Sequence, residues 1–384
     1  GLTTKMGIIG FYLSAGMIKK PNKKRDSFND QCFVRQGRPV EDKKVTMLLG
    51  TLLGVFSIII LAILVSTLVA IIGLFVYEPS PAEGFAFSSA GKTIQLSDGR
   101  TLAYLDIGDP EGRPLFYFHG GPGSRLEGLL FDGLNQRLGI RMIAPDRPGF
   151  GLSDFQEDRT YLDWPDDVRE LANQLGIDRF GVLGWSSGGP HAAAVAHEIP
   201  QRLAVAAIAA GEAPYASDDL PRSVSTSATF SGSRINRLLI WSAKNGRWLM
   251  RTFFTLARIL IFIDPAGLGA GSFGSDMSAK DMQLFARRDF TASMVEALRQ
   301  GADGWTHEFT MERLDWPFKL EDIHAPGVLV FHGKEDRGID QRIAEYVSAR
   351  IPSCSGLTIY PSEGHSVAYY RYEEIIQAML KVWE

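Results

Sequence analysis

The sequence predicts an α/β fold, a mainly parallel β-sheet with helices on both faces, carrying a helical cap insertion and preceded by one transmembrane helix. Three observations predict it. From residue 91 onward short apolar β-rich runs alternate with helical patterns, residues 212 to 320 break that alternation, and an uncharged apolar run, Met47 to Tyr77, stands before both. Alternating β and α with wholly apolar strands requires helices on each face of a parallel sheet.

The N-terminal part differs in charge from the rest. Of 40 Lys and Arg and 44 Asp and Glu in 384 residues, most of the basic excess precedes the apolar run, with "KKPNKKRD" at 19 to 26 foremost. The remainder is acidic, which gives no footing for nucleic-acid binding. About 20 apolar residues suffice to cross a bilayer as a helix, so residues 47–77 read as a span. Residues 1–46 then form a basic tail held in the cytoplasm by the positive-inside rule, with the C-terminal part outside the cytoplasm. The apolar region is too long and too far from the start for a cleaved signal peptide, which makes it an uncleaved anchor in a cell membrane. "GTLLG", with Gly50 and Gly54, has the small-xxx-small spacing of helix dimers, a weakly supported partner interaction. "GIIGFYLSAGMI" at 7 to 18 is too short to cross.

"EPSPAEG" opens a linker over 78–90, because its prolines preclude a continuing helix. The alternation of β-rich runs and helical patterns then fills 91–384. Its strand-like runs are "TIQLS", "TLAYLDIG", "PLFYFHG", "RMIAPD", "RFGVLGW", "RLAVAAIAAG", "GVLVFHG" and "LTIYPSEG". The first two, separated by "DGR", predict an antiparallel hairpin at one edge. "WPDDVRELANQLG" predicts a helix with Val168, Leu171, Ala172 and Leu175 on one face. The insertion over about 212–320 holds "RINRLLIWSAKNGRWLMRTFFTLARILIFI" and the Gly-rich "DPAGLGAGSFGSD", which places it as a cap over the strand ends. Within it, Trp241, Trp248, Phe253 and Phe254 mix with Arg234, Arg237, Lys244, Arg247, Arg251 and Arg258, a composition found in helices at a lipid interface and also in caps packed over a site.

The chemistry is concentrated in "GWSSGG" at 184 to 189, between a strand and a helix. Gly184 and Gly188 flank Ser186 in a Gly-x-Ser-x-Gly pattern, whose strained turn exposes the serine hydroxyl. Ser186 is thus the expected nucleophile, and Ser187 supplies a backbone N–H at a helix start, where the positive end favours an oxyanion. A serine needs a base and an orienting acid. Of seven histidines, His365 in "PSEGHS" follows the last strand and can reach back over the sheet. His191 and His197 lie on the helix after the serine, and His307 and His324 fall in or near the insertion. Asp336, just past the strand "GVLVFHG", is the expected acid, with Glu212 in "AAGEAP" as its rival; Asp340 is expected to cap the next helix. The second oxyanion donor is expected from Gly121 in "FHGGPGS", with His119 as a structural hydrogen-bonder.

"HGGPGSRLE", "APDRPGFGLSD", "GWSSGGPHA", "VFHGKEDRGI" and "PSEGHS" resemble, in order, the motifs of the α/β-hydrolase fold family. The resemblance covers roughly residues 91 to 384 and implies a serine esterase or lipase-like enzyme acting through an acyl-enzyme. "HGGPG" also resembles the proline iminopeptidases, although those typically carry "DQRGxGxS" and "GGSWG" where this chain has "DRPGFGLSD" and "GWSSGG". A serine at the elbow argues against dehalogenase or epoxide hydrolase chemistry. The expectation is therefore a membrane-anchored serine hydrolase of a small-molecule or lipid-like carboxylic ester. The alternatives are an aminopeptidase of the proline iminopeptidase type and a catalytically idle binding module. No cofactor is expected: "SSAGKT" lacks the leading glycine of a phosphate loop, "GFGLSD" lacks the third glycine of a dinucleotide fingerprint, and no metal-ligand spacing occurs. Cys32 and Cys354 are expected to be unpaired thiols.

Overall fold

Eight strands form one sheet in the order β1-β2-β4-β3-β5-β6-β7-β8. They are β1 (Lys92–Gln95), β2 (Thr101–Gly108), β3 (Arg113–Phe118), β4 (Ile140–Pro145), β5 (Phe180–Trp185), β6 (Leu203–Ala209), β7 (Val328–Gly333) and β8 (Cys354–Tyr360). The computed structural model describes residues 53–61, 63–67, 80–82, 86–217, 220, 241–243, 245–267 and 277–383. β2 runs antiparallel to both β1 and β4, while the six strands from β4 to β8 are parallel. Each predicted strand run is a strand, and the hairpin lies at the edge as expected.

The helices of the sheet layers are α1 (Asp132–Leu138), α2 (Trp164–Gln174) and α3 (Gly188–Glu198). α2 buries Val168, Leu171 and Ala172 on the expected face. β5, β6 and β7 are buried along their whole lengths, as central strands covered on both faces must be. One apolar cluster gathers Phe116, Phe118, Trp164 and Phe180 with α3, and a second gathers Tyr117, Phe131, Trp185 and Tyr372. These two clusters mark the opposite faces of the sheet.

Between β6 and β7 the chain forms α4 (Arg247–Ile263), α5 (Ala279–Phe285), α6 (Arg288–Ala297) and α7 (Asp303–Glu312). After β7 come α8 (Gln341–Arg350), capped by Asp340 as expected, then α9 (Val367–Tyr370) and α10 (Tyr372–Val382). α4 seats Phe254 against Trp305 and Phe309 of α7, with ring centroids 4.4 and 5.2 Å apart. Of the two arrangements the composition allows, Phe254 and Arg258 follow the packed one and turn inward, Arg258 donating to the Leu298 carbonyl. Trp241, Trp248 and Phe253 are exposed, as are Arg247 and Arg251. Arg234, Arg237 and Lys244 lie outside the described residues.

Described residues of the expected linker 78–90 are hydrogen-bonded to the cap and to the turn after β3. Ala82 donates to the Phe262 carbonyl at 2.7 Å, Ser88 donates to Glu296 at 2.8 Å, and Arg125 donates to the Ala90 carbonyl at 2.7 Å. The chain divides near residue 66. Residues 53–61 and 63–67 are helical with exposed side chains. Among the described residues no helix is long and apolar enough to cross a membrane; much of the expected span 47–77, the tail 1–46, Gly50 and Cys32 lie outside them. Gly54 has no neighbour within 4 Å of a Cβ built on it, and Cys354 is a free thiol.

The cap is joined to the sheet by buried charge. Glu308 of α7 accepts from Arg147 Nε at 2.6 Å and from Arg159 at 2.9 Å, and all three side chains are buried. Burial opposes the ionised carboxyl, but the adjoining guanidiniums outweigh it and hold Glu308 well below the usual carboxylate range. Removing one member of such a group strands an uncompensated charge, which costs about 3–5 kcal/mol. Glu308→Gln should therefore lower the unfolding free energy in urea by about that amount. Asp289→Ala, which removes the exposed Arg287–Asp289 pair, should cost about 1 kcal/mol or less. Equal effects of the two would refute the buried link.

Candidate active site

The elbow is built by close approach. Ser186 sits at φ 53°, in the left-handed region, where a side-chain-bearing residue is strained by about 1–3 kcal/mol. Its N–H donates to the Ala209 carbonyl at 3.0 Å and its carbonyl accepts from Gly189 at 2.8 Å. A Cβ on Gly184 would run into the Gly188 carbonyl, and one on Gly188 into the carbonyl of Phe118 at the end of β3. The two glycines of the motif are thus required by contact, and they bring α3 directly against the ends of β5 and β3.

Opposite the elbow, His365 Nε2 lies 2.9 Å from Ser186 Oγ. Its Nδ1 lies 2.8 Å from Asp336 Oδ2. A carboxylate only accepts, so Nδ1 carries the proton and Nε2 is left to accept from the serine hydroxyl. Asp336 is itself fixed by the N–H groups of Gly338 and Ile339, at 2.7 and 2.9 Å on Oδ1. Burial disfavours the imidazolium of His365, but the Asp336 carboxylate more than offsets this and raises the group to about 9. Burial likewise opposes the Asp336 charge, and the His365 ring opposite holds the acid below its ordinary value.

The remaining sequence candidates take other places. His119 is buried with Nδ1 2.8 Å from the Gly120 carbonyl, and its Nε2 accepts from the Arg147 N–H at 3.2 Å. Both ring nitrogens are engaged, as a structural hydrogen-bonder requires. His191 is buried in the first turn of α3, bonded to the Ser187 carbonyl at 2.9 Å, and burial followed by the Arg147 charge keeps it neutral, down to about 3. His197 is bonded to Glu198 and His307 to the Arg159 carbonyl. Glu212, the rival acid, lines the same cavity but makes no hydrogen bond to His365 among the described residues. The Gly121 and Ser187 N–H groups have no hydrogen-bond partner among the described residues. The two residues adjoin, since a Cβ on Gly121 would stand 2.7 Å from Ser187 Oγ.

These groups open into a cavity of about 370 Å³ between the cap and the strand ends. Phe253, Phe254, Leu260, Phe285 and Trp305 give it a mostly apolar wall, with Glu212, Glu312 and Arg313 at one part of it. Its size suits a small ligand buried over most of its surface.

The fold, the elbow and the histidine loop decide the family. A sequence profile described as "alpha/beta hydrolase fold" matches residues 113–372. The chain belongs to the α/β-hydrolase fold family. It is similar to the bifunctional esterase/perhydrolase DCH of Acinetobacter calcoaceticus, 25% identical over 75% of this chain and 97% of that one. It is also similar to the proline iminopeptidase of Neisseria gonorrhoeae, 29% identical, but the match covers 29% of this chain and about a third of that enzyme, 36%. Among solved structures, the esterase EaEST from Exiguobacterium antarcticum has the same fold, with a TM-score of 0.55 at 21% identity over 76% of this chain and 98% of its own.

One contributor to the site escapes sequence reasoning. Asp281, on α5 of the cap, accepts from the backbone N–H of His365 at 3.1 Å and of Ser366 at 2.8 Å. It is a positioning residue, separated from His365 by 84 residues that include α6, α7 and the last two strands, so no local pattern points to it. Trp185 adds a bond from Nε1 to the His365 carbonyl at 2.9 Å. A displacement of about 1 Å in a reacting group can cost about 100-fold in rate. Asp281→Ala should therefore lower kcat for an ester by about that factor with KM little changed. A parallel rise in KM with unaltered kcat would assign Asp281 to substrate binding instead.

Proposed function

We propose that this protein is a membrane-anchored serine hydrolase that cleaves a carboxylic ester, and the observation that carries the reading is the Ser186–His365–Asp336 hydrogen-bonded chain at an apolar cavity. Ser186 Oγ attacks the ester carbonyl as its proton passes to His365 Nε2. The oxyanion is received by the N–H groups of Gly121 and Ser187, aided by the N-terminal end of α3. His365 returns the proton to the leaving alcohol as the C–O bond breaks, giving an acyl-enzyme. Water then attacks with His365 as base, releasing the acid and restoring Ser186. Asp336 holds the ring in the required tautomer throughout.

The long match to an esterase supports ester cleavage. The HGGPG loop and the shorter match to proline iminopeptidases support an aminopeptidase as the second reading. A binding module without catalysis is separated from both by reaction with a fluorophosphonate, since only an activated serine labels. Wild type should label and hydrolyse p-nitrophenyl esters; Ser186→Ala should lose labelling and about three to six orders of magnitude in kcat. Hydrolysis requires neutral His365, so kcat/KM should climb with pH on a limb displaced from 6.5 toward 9. Asp336→Asn removes the charge that raises the ring, and should move the surviving activity's limb to lower pH. Retained labelling in Ser186→Ala sinks the nucleophile.

The uncharged run Met47–Tyr77, with the basic stretch before it, supports a single-pass anchor with the N-terminus cytoplasmic and the hydrolase part extracytoplasmic. Protease added to intact cells should digest the hydrolase part and spare the tail. Protection until the membrane is opened would reverse this orientation.

A further inference from the structure

The cavity at Ser186 has one polar recess in an otherwise apolar wall. Glu212 follows β6, Glu312 ends α7, and Arg313 comes directly after it; all three line the cavity. They are buried, exposing 9%, 7% and 8% of their surface. Arg313 Nη1 lies 3.9 Å from Glu212 Oε2, beyond hydrogen-bond reach, and neither atom has a hydrogen-bond partner among the described residues. The Tyr215 hydroxyl beside them is likewise buried and unpartnered. The guanidinium is not loose, because it rests on the rings of Tyr215 and Phe309, 5.0 and 4.5 Å from their centroids.

Leaving a buried polar atom unpaired costs about 1–3 kcal/mol, and more when it is charged. Glu212 Oε2 and Arg313 Nη1 therefore stand on the cavity wall with only a long ion pair between them, and no hydrogen bond among the described residues offsets their burial. Their chemistry is complementary. Glu212 Oε2 accepts and Arg313 Nη1 donates. Burial, followed by the Glu212 charge, pushes the Glu312 carboxyl up to about 8, against Arg313 and the Ser187 side chain. Glu212 and Glu312 repel as neighbouring carboxyl groups beside one guanidinium, which favours a proton held by the pair. The recess thus presents hydrogen-bond acceptors and donors side by side, which suits an uncharged group able to do both. The influence of Ser187 on Glu312 sets the recess next to the residue whose N–H faces the oxyanion.

We propose that Glu212, Glu312 and Arg313 form a polar subsite that binds an uncharged hydrogen-bonding substituent, a hydroxyl or an amide, carried by the substrate near its scissile carbonyl. The inference rests on the serine hydrolase reading. A site built around unpaired buried groups discriminates against an analogue that leaves them unpaired, much more strongly than an apolar wall discriminates chain length.

The test uses the full chain and p-nitrophenyl butyrate beside its 2-, 3- and 4-hydroxy and 3-amino forms, with fluorophosphonate labelling in parallel. At least one hydroxy ester should exceed butyrate in kcat/KM by about tenfold, the equivalent of one hydrogen bond of about 1.4 kcal/mol. Arg313→Met and Glu212→Gln should each collapse that ratio toward one; the second keeps the test available if the first does not fold. The proposal is overturned if no hydroxy ester exceeds butyrate, or if both variants keep the wild-type ratio. It is also overturned if the amino ester is preferred over all, which would make the recess a cation site of the two glutamates. Absence of both labelling and hydrolysis of every ester would instead overturn the serine hydrolase reading beneath it.

Discussion

The close approach of β3, β5 and α3 at Ser186 is the constraint on which the site depends. The left-handed backbone at the serine is held because Gly184 lies against Gly188, and Gly188 against the carbonyl of Phe118. The strain of about 1–3 kcal/mol is offset by burying the apolar ends of three central strands around it. The same contact sets the neighbouring loop, since Gly121 follows Phe118 by three residues and adjoins Ser187. Ser186, Gly121 and Ser187 are therefore set by one packing event.

A second constraint joins the cap to that core. Arg147 follows the end of β4, donates to the carbonyls of His119 and Gly120, and pairs with Glu308 of the cap. Arg159 and His191 complete the cluster, and His191 reaches the Ser187 carbonyl. An apolar contact of equal area would hold the cap on but would tolerate sliding. Buried charges tolerate little, because a displaced guanidinium is left unpaired at a cost of several kcal/mol. We read Glu308 as fixing the register between α7 and the oxyanion loop. Arg125, paired with Asp146 at 2.6 Å and Glu296 at 2.9 Å, does the same for α6.

What the sequence made legible follows from the range of the interactions involved. The central strands β5, β6 and β7 were readable because each is buried on both faces and so nearly all apolar. Ser186, Gly121 and Ser187 were readable because the elbow and its loop are local turn geometries that demand glycine at fixed spacing. Asp336 and His365 follow strand ends, and strand ends are what the alternation reveals. Asp281 and Glu308 were not readable. Each acts across more than one element on a partner distant in sequence, and an acidic residue on a cap helix looks the same whether it is solvated or buried. The partners of the segment before β1 were not readable for the same reason: its hydrogen bonds go to Phe262, Glu296 and Arg125, none of which is nearby in the chain.

Around the reacting atoms, the fixed charges are sorted by sign. His365 faces Asp336 directly, with Asp281 and Glu212 also favouring its protonated form. Ser186 leads instead into N–H groups and the N-terminus of α3. In the reaction we propose, moving the serine proton to His365 puts positive charge where carboxylates already stand and negative charge beside the N–H groups of Gly121 and Ser187. Neither side must reorganise, which is what makes preorganised dipoles effective in a water-poor cavity. Glu212 belongs to both settings, since its charge favours the imidazolium and also raises the Glu312 carboxyl above its ordinary value. A single side chain on the loop after β6 thereby couples His365 to the polar recess.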